Sequence, residues 1–517
     1  MTKKVLNSLA LSGLILCSGC APTADPVDNA VVLDTITKDR TQIYQPTNQI
    51  TNQTVNQTAA TMKVEDALAR AIKYNLDTKV AELDALIASD DVTLQMLNAL
   101  PSINAKAQIQ TRNNEGGSSS FSVLTGTESL QPSISQEQTR NVVQLSTEWN
   151  LLDTGINLWR GKNATDQMLI SQERRRKIYQ GVVQDTYIAF WRAAVAQEAL
   201  PEIKELQIQL EDQIAKNDQQ IAEGIIPLAD AQARKSQLLD QKAQLSSLKN
   251  GLSLAHLELK TLIAYPLQEN LVLDLQGQNP LEDSTLPTIG NSIEEYETKA
   301  LISRPEIREE ILNKRISTRD IKLSVLESIP GAEILLTYNH DSNKFLVFNN
   351  WVDGIAGLTS QINKIITAPA RYKKAQNIDA LSDQRRQALV AAVITQVHVA
   401  AARYDTLANE HKDQTRSVNH AQAILNRTSN FNDVGLISNA ELISTKVDSN
   451  IAKINRAFAY ADAQDAYGRF INTLGIDLWD EGNPDLSIEN YAAQIRNNLN
   501  NANVITTSKT EDKMVES

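Results

Sequence analysis

The chain has 517 residues, of which 42% are hydrophobic and only 5% aromatic, and it carries a formal net charge of −12. That acidity excludes nonspecific electrostatic binding to nucleic acid, which needs a basic surface. Glycine (19) and proline (14) are sparse and no linker divides the middle, so a few long elements suit the chain better than a string of ordinary domains.

Lys3 and Lys4, followed by the mostly apolar stretch Val5 to Cys17, read as an export leader too short to span a bilayer comfortably. Ser18-Gly19-Cys20 sets two small residues before a cysteine, the pattern cut by a lipoprotein signal peptidase, with Cys20 as the lipidated first residue. The alternative is an ordinary secretory leader with an incidental cysteine, because Cys17 stands where such sites usually carry leucine. Ala21, rather than aspartate, follows and permits sorting to the outer membrane. Loss of Cys17 with the leader leaves one thiol, so no intrachain disulfide is expected.

Residues 21–61 are rich in Thr, Asn and Gln and offer few large apolar groups to offset ordering entropy, which predicts a flexible or surface-draped tether. From Val64 to Leu97 the apolar spacing predicts a helix, ended by Pro101. Ala105 to Arg112 then alternates at period two, as a strand with one apolar and one wet face does. A Gly/Ser/Thr/Gln loop from Asn114 to Gln138 leads to a second alternating run, with Val143, Leu145, Thr147, Trp149 and Leu151 on one face. Beyond it a long helix is predicted from near Ile156 to Glu223, with Pro201 marking a kink or break. After a turn at Gly224 a returning helix runs from Leu228 to Leu262.

The same order then recurs about 210 residues later, which marks an architecture built from a duplicated unit. Ala332, Ile334, Leu336 and Tyr338 share a strand face, and a loop from Asp341 to Asn349 leads to a fourth strand near Trp351 to Ile362, interrupted by Gly354 and Gly357. About 65 residues from Ala370 to Val434 contain no Pro or Gly, enough for a helix of roughly 100 Å. Its return is predicted over Leu436 to Leu474. Alanines such as Ala391, Ala392 and Ala400 would let long helices approach closely in coiled-coil fashion. The predicted organisation is a leader (1–20), a tether (21–61), a first repeat (62–265), a connecting segment (266–297), a second repeat (298–478) and a tail (479–517) whose end is disordered.

Ten-residue strands with alternating faces are what a membrane barrel uses, because backbone polar groups in lipid must all be paired. Four strands cannot close alone, so this reading requires oligomerisation. A soluble helical protein with two hairpins is the alternative.

Leu97-Asn98-Ala99-Leu100-Pro101, Trp149-Asn150-Leu151-Leu152-Asp153-Thr154-Gly155, Arg304-Pro305-Glu306 and the two Gly-x5-acid hairpins, in this order, resemble the TolC family of outer-membrane efflux proteins over roughly Val64 to Leu478. Trp149 alone would also fit a membrane-interface anchor. The resemblance implies a mainly α fold with membrane β: long helical hairpins forming a periplasmic barrel, and four strands per chain contributing to a trimeric twelve-stranded outer-membrane barrel. It implies a passive exit duct of a tripartite efflux or type I secretion system, a homotrimer working with a periplasmic adaptor and an inner-membrane RND, ABC or other transporter. A periplasmic helical adaptor or a structural coiled-coil protein is the competing reading, although adaptors need β-rich domains with no counterpart in this sequence.

The resemblance also assigns roles. Val434-Gly435-Leu436 matches the family's tip motif for docking adaptor hairpins, with Gly224-Ile225 as its counterpart. A purely structural turn is the alternative, since a tight helix-to-helix turn needs one residue at positive φ. Asp230 and Glu441 align with acids that form inter-helix links or face the pore, where an acidic ring favours cations. An acid early in a helix is also stabilised by the macrodipole wherever it faces. The family's second acid, three residues further on, is Ser444 here, so other polar contacts are expected at the gate. His256, His340, His398, His411 and His420 have no metal spacing, and no phosphate loop or nucleophile elbow is visible, so neither cofactor nor enzymatic activity is expected.

Overall fold

The computed structural model describes residues 29–44, 61–128, 131–282, 284–290, 292–479 and 487–507. Cys20 and the leader lie outside them. The chain divides into two compact units, one of Met1–Thr58 with Ala264–Asn270 and one of Ala59–Ile263 with Leu271–Ser517.

In the smaller unit, Asn29–Tyr44 form helix α1 within the stretch read as a tether. Lys38 pairs with Asp34 at 2.6 Å across one turn, the spacing that steadies an isolated helix.

The larger unit opens with α2 (Val64–Tyr74) and α3 (Leu76–Leu97), two helices where one was expected. Asn75 causes the break: it is extended, its side chain accepts from Asp77 N at 2.8 Å, and its Nδ2 donates to Leu262 O at 3.1 Å. A side chain that caps the next helix and ties down a remote carbonyl outweighs helix continuity. Strands β1 (Ser102–Thr111) and β2 (Thr139–Asn150) follow, then α4, Leu151–Ala222, 72 residues long and capped by Asn150, whose side chain accepts from Leu152 N and Asp153 N at 3.1 Å. Pro201 does not break α4; its neighbours Ala199 and Ile203 are fully buried, and this packing outweighs the single backbone bond a proline forfeits. The return is split into α5 (Leu228–Leu252) and α6 (Ala255–Leu262), where a single helix was expected. Asn250, Gly251 and Ser253 crowd that break, and the Ser253 hydroxyl donates to Asn250 O at 2.9 Å in competition with the helix ladder.

The second repeat comprises α7 (Ile293–Ser303), α8 (Pro305–Leu326), β3 (Gly331–Asp341), β4 (Asn350–Thr359), α9 (Ile362–Asp433) and α10 (Asn439–Thr473). Helix α9 also has 72 residues; it begins eight residues before Ala370 and continues through Pro369, and β4 runs through both its glycines. Helix α11 (Ile488–Thr507) packs on α2, where Arg496 meets the buried Glu65 at 2.6 Å. Each long helix lies beside the short helix that precedes its strands, α3 or α8, and beside its own return; α8 and α10 also pack on α4 and so join the repeats. At 1.5 Å per residue, 72 residues span roughly 110 Å.

The core lies where α4, α9 and α10 meet. Tyr187, Phe190, Trp191, Tyr404, Tyr460, Tyr467 and Phe470 are all buried there, with Trp191 edge-on to Tyr460 at 5.2 Å. The Tyr187 hydroxyl donates to Gln464 Oε1 at 2.7 Å, and burial pushes the Tyr460 phenol up to about 12. At the start of α8, burial alone would raise the Glu306 carboxyl, but Arg304 and Lys177 outweigh it and hold its pKa below the usual value. The Arg-Pro-Glu motif is thus a charged brace between α8 and α4.

The four strands form one antiparallel sheet in the order β1-β2-β3-β4. Register places Ala105, Leu145, Tyr338 and Val352 in one row, and Ile103, Thr147, Leu336 and Gly354 in the next, so most apolar residues of the four strands share a face, while Val142, Leu335 and Ile355 lie on the other. The mostly apolar face is open: Ile103 is 74% exposed, Leu145 50% and Leu358 80%. The opposite face carries a polar network. Gln144 Nε2 donates to Asn339 Oδ1 at 2.8 Å, Asn339 Nδ2 and Trp351 Nε1 donate to Asp353 Oδ2 at 2.8 and 2.9 Å, and Arg140 joins Gln110 to Asp341. The outer edges of β1 and β4 have no partner strand among the described residues.

Candidate docking tips and gate at the helical hairpins

Both hairpins turn by the same device. At the first, Gly224 sits at φ +68°, Ile225 N donates to Gln220 O at 3.0 Å and Gly224 N to Ile221 O at 3.2 Å. At the second, Gly435 sits at φ +74°, Leu436 N donates to Phe431 O and Gly435 N to Asn432 O, both at 2.9 Å. This is the Schellman pair, in which a left-handed residue lets the chain satisfy the last helical carbonyls. Around it the apolar side chains point into open space: Ile225 is 62% exposed, Val434 69% and Leu436 71%. The five tip residues singled out in the sequence therefore occupy two equivalent, solvent-facing turns.

Asp230 and Glu441 are each the third residue of a returning helix, α5 and α10, and both are exposed. Ser438 caps α10, its hydroxyl accepting from Glu441 N at 3.3 Å, so Ser438-Asn439-Ala440-Glu441 follows the capping-box pattern. Pro227 leads α5 with no such cap. Among the described residues neither carboxylate has an ion-pair partner, and no hydrogen bond joins the two. The geometry serves a macrodipole role and leaves both charges available to a neighbour.

Ser444 is buried between the two returning helices. Its hydroxyl accepts from Gln237 Nε2 at 3.0 Å and Gln241 Nε2 at 2.9 Å, and Gln241 also reaches Asp448 Oδ1 at 2.7 Å. This polar tie between α5 and α10 was missed by sequence reasoning. Its signal was the i, i+4 spacing of Gln237 with Gln241 and of Ser444 with Asp448, which places each pair on one helix face. Nearer the tips, a groove of about 530 Å³ lies between α4, α5 and α10, bordered by Lys216, Arg234, Lys446 and Ser438, with the buried Asn217 in its wall. Among the described residues there is no cluster suited to a metal ion, and no helix is long and apolar enough to cross a membrane.

Residues 67–264, which make up most of the first repeat, match the family of outer membrane efflux proteins. The fold is similar to that of the Neisseria gonorrhoeae MtrE outer membrane channel in its open state, with a TM-score of 0.62 and 17% identity over 80% of this chain and 88% of that one. It is similar also to the Campylobacter jejuni CmeC outer membrane channel, at 0.60 and 14% over 84% and 89%, and to the Vibrio cholerae outer membrane protein VceC, at 0.56 and 11% over 80% and 96%. The chain has the fold of the TolC-like outer membrane channels, and its first repeat matches the outer membrane efflux protein family. No curated protein matches it in sequence. The TolC-like fold accounts for the duplicated strand-strand-helix order.

Proposed function

We propose that three copies of this chain assemble into the outer-membrane exit duct of a tripartite efflux or secretion system. The observation that carries the reading is the open four-stranded sheet: one face mostly apolar, the other mostly polar, and neither edge with a partner strand among the described residues. An exposed edge is a template for another strand. β1 and β4 run in opposite directions, so β4 of one copy meets β1 of the next antiparallel, and three sheets close into twelve strands with lipid outside and water within. The polar network of Arg140, Gln144, Asn339 and Asp353 then lines the lumen.

In this reading the helical hairpins extend into the periplasm. Their apolar tips at Ile225, Val434 and Leu436 dock an adaptor that couples the duct to an inner-membrane pump of the RND, ABC or another class. Cys20 carries the lipid anchor, and the inner surface is a passive path for cargo. Native mass measurement of detergent-extracted protein tests the assembly directly. A trimer is expected; a stable single subunit with water-accessible strands overturns the duct.

The gate is assigned to Asp230 and Glu441, helped by the tie from Gln237 and Gln241 to Ser444. Both carboxylates stand free within the described chain, as groups awaiting an inter-subunit partner do. Glu441→Ala is expected to make the closed duct leakier by several-fold in planar-bilayer conductance. Unchanged conductance removes Glu441 from the gate and leaves it as a cap residue of α10.

A further inference from the structure

The sheet carries two loops at the end opposite the helices, and both present large apolar side chains to solvent. In the first, between β1 and β2, Val123 is 94% exposed and Leu124 97%. In the second, between β3 and β4, Val347 is 88% exposed and Phe348 77%. These are not loose ends. The first tip is a hydrogen-bonded turn, with Gly126 N donating to Ser122 O at 3.0 Å, Ser122 N to Thr127 O at 2.9 Å and Thr125 N to Ser122 Oγ at 3.2 Å. The two loops of one chain are also stapled together: Asn343 Nδ2 donates to Ser135 O at 2.9 Å, Glu137 N donates to Asn343 Oδ1 at 3.2 Å, and Lys344 pairs with Glu137 at 3.3 Å. Structured turns that hold four large apolar groups in water need something to cover them.

The strand order says what. Thr111, where β1 passes into the first loop, and Asn350, where the second loop passes into β4, lie at the same end of the sheet but on its two opposite edges. Within one chain the breadth of the sheet separates those two points. When β4 of one copy pairs with β1 of the next, they become neighbours. We infer that the first loop of each copy packs its Val123-Leu124 tip against Val347-Phe348 of the adjacent copy, so that three such contacts close an apolar collar around the outer mouth. The inference rests on the trimeric reading above and adds to it an inter-subunit surface outside the lipid zone.

Disulfide trapping between differently tagged copies tests it. One copy carries Leu124→Cys and the other Val347→Cys, and the two are expressed together in the full-length chain, so a bond can form only between subunits. The natural cysteines, Cys17 and Cys20, lie in the leader region, and single-variant preparations report any background from them. Mild oxidation, or a short bismaleimide, is expected to link the two tags at least ten-fold above either variant expressed alone. Native mass of the same preparation keeps the two readings apart. Trimeric material with no linkage above background overturns the collar and leaves the trimer standing, whereas monomeric material overturns both.

Discussion

Leu145→Arg is expected to remove the protein from the outer membrane, while Ser146→Arg, one residue along the same strand, leaves it there. Leu145 lies mid-strand on the apolar face, in register with Ala105 and Tyr338; Ser146 lies on the wet face, in register with Asn104 and Thr337. An arginine on the lipid face of a barrel costs about 2–4 kcal/mol near the bilayer midplane and far less at the rims. Three copies multiply that cost, and assembly is lost as a whole because no protomer closes by itself. Membrane fractionation followed by gel analysis of unheated trimers reads the result. Equal loss for both variants, or for neither, would show that the two faces of the sheet do not divide lipid from water.

Asp166→Ala should destabilise the helices far more than loss of an exposed ion pair does. The carboxylate is 4% exposed and holds both Arg315 and Arg319, so one side chain of α4 clamps two of α8 about four turns along α4 from the sheet. Deleting it takes the counter-ion from both guanidinium groups; Arg315 is half solvated and Arg319 still reaches Lys162 O, so the cost is about 1–3 kcal/mol rather than that of a fully buried pair. The exposed pair Lys38 with Asp34 is the contrast, since both partners are well solvated and such pairs contribute at most about 1 kcal/mol. Urea unfolding followed by far-ultraviolet circular dichroism should show a large shift for Asp166→Ala and almost none for Lys38→Ala. Comparable shifts would mean that the clamp is fully solvated in the assembled protein.

Sequence reading recovered the strands well because a period of two leaves little choice of face. Val143, Leu145 and Trp149 had to point together whatever else happened, and even β4, interrupted by two glycines, completed its ladder with β3. Helix boundaries were harder. Pro201 read as a kink or break, yet packing along α4 carries the helix through it, and α9 starts before Ala370 and runs through Pro369. Conversely, Asn75 divides a stretch that reads as one helix, because its side chain serves Leu262, almost 190 residues away, a tie that no local pattern contains.

The hairpin tips were legible for a local reason: a helix reversing over so few residues needs a left-handed position, and Gly224 and Gly435 supply it. Ser444 was not legible in the same way. Read alone it is a missing acid; its partners, Gln237 and Gln241, belong to the other repeat, so its role exists only once the two returning helices are side by side.

The equality of α4 and α9, each 72 residues, limits how such a chain can change in length. Two struts that start beside one sheet and end in matching turns form a pair of rulers. Removing a heptad from one alone would set its turn about 10 Å short of the other, at 1.5 Å per residue. Any lineage that lengthens or shortens this reach must therefore edit both halves of the duplication in step, a constraint that ties together two segments with no need to resemble each other in sequence.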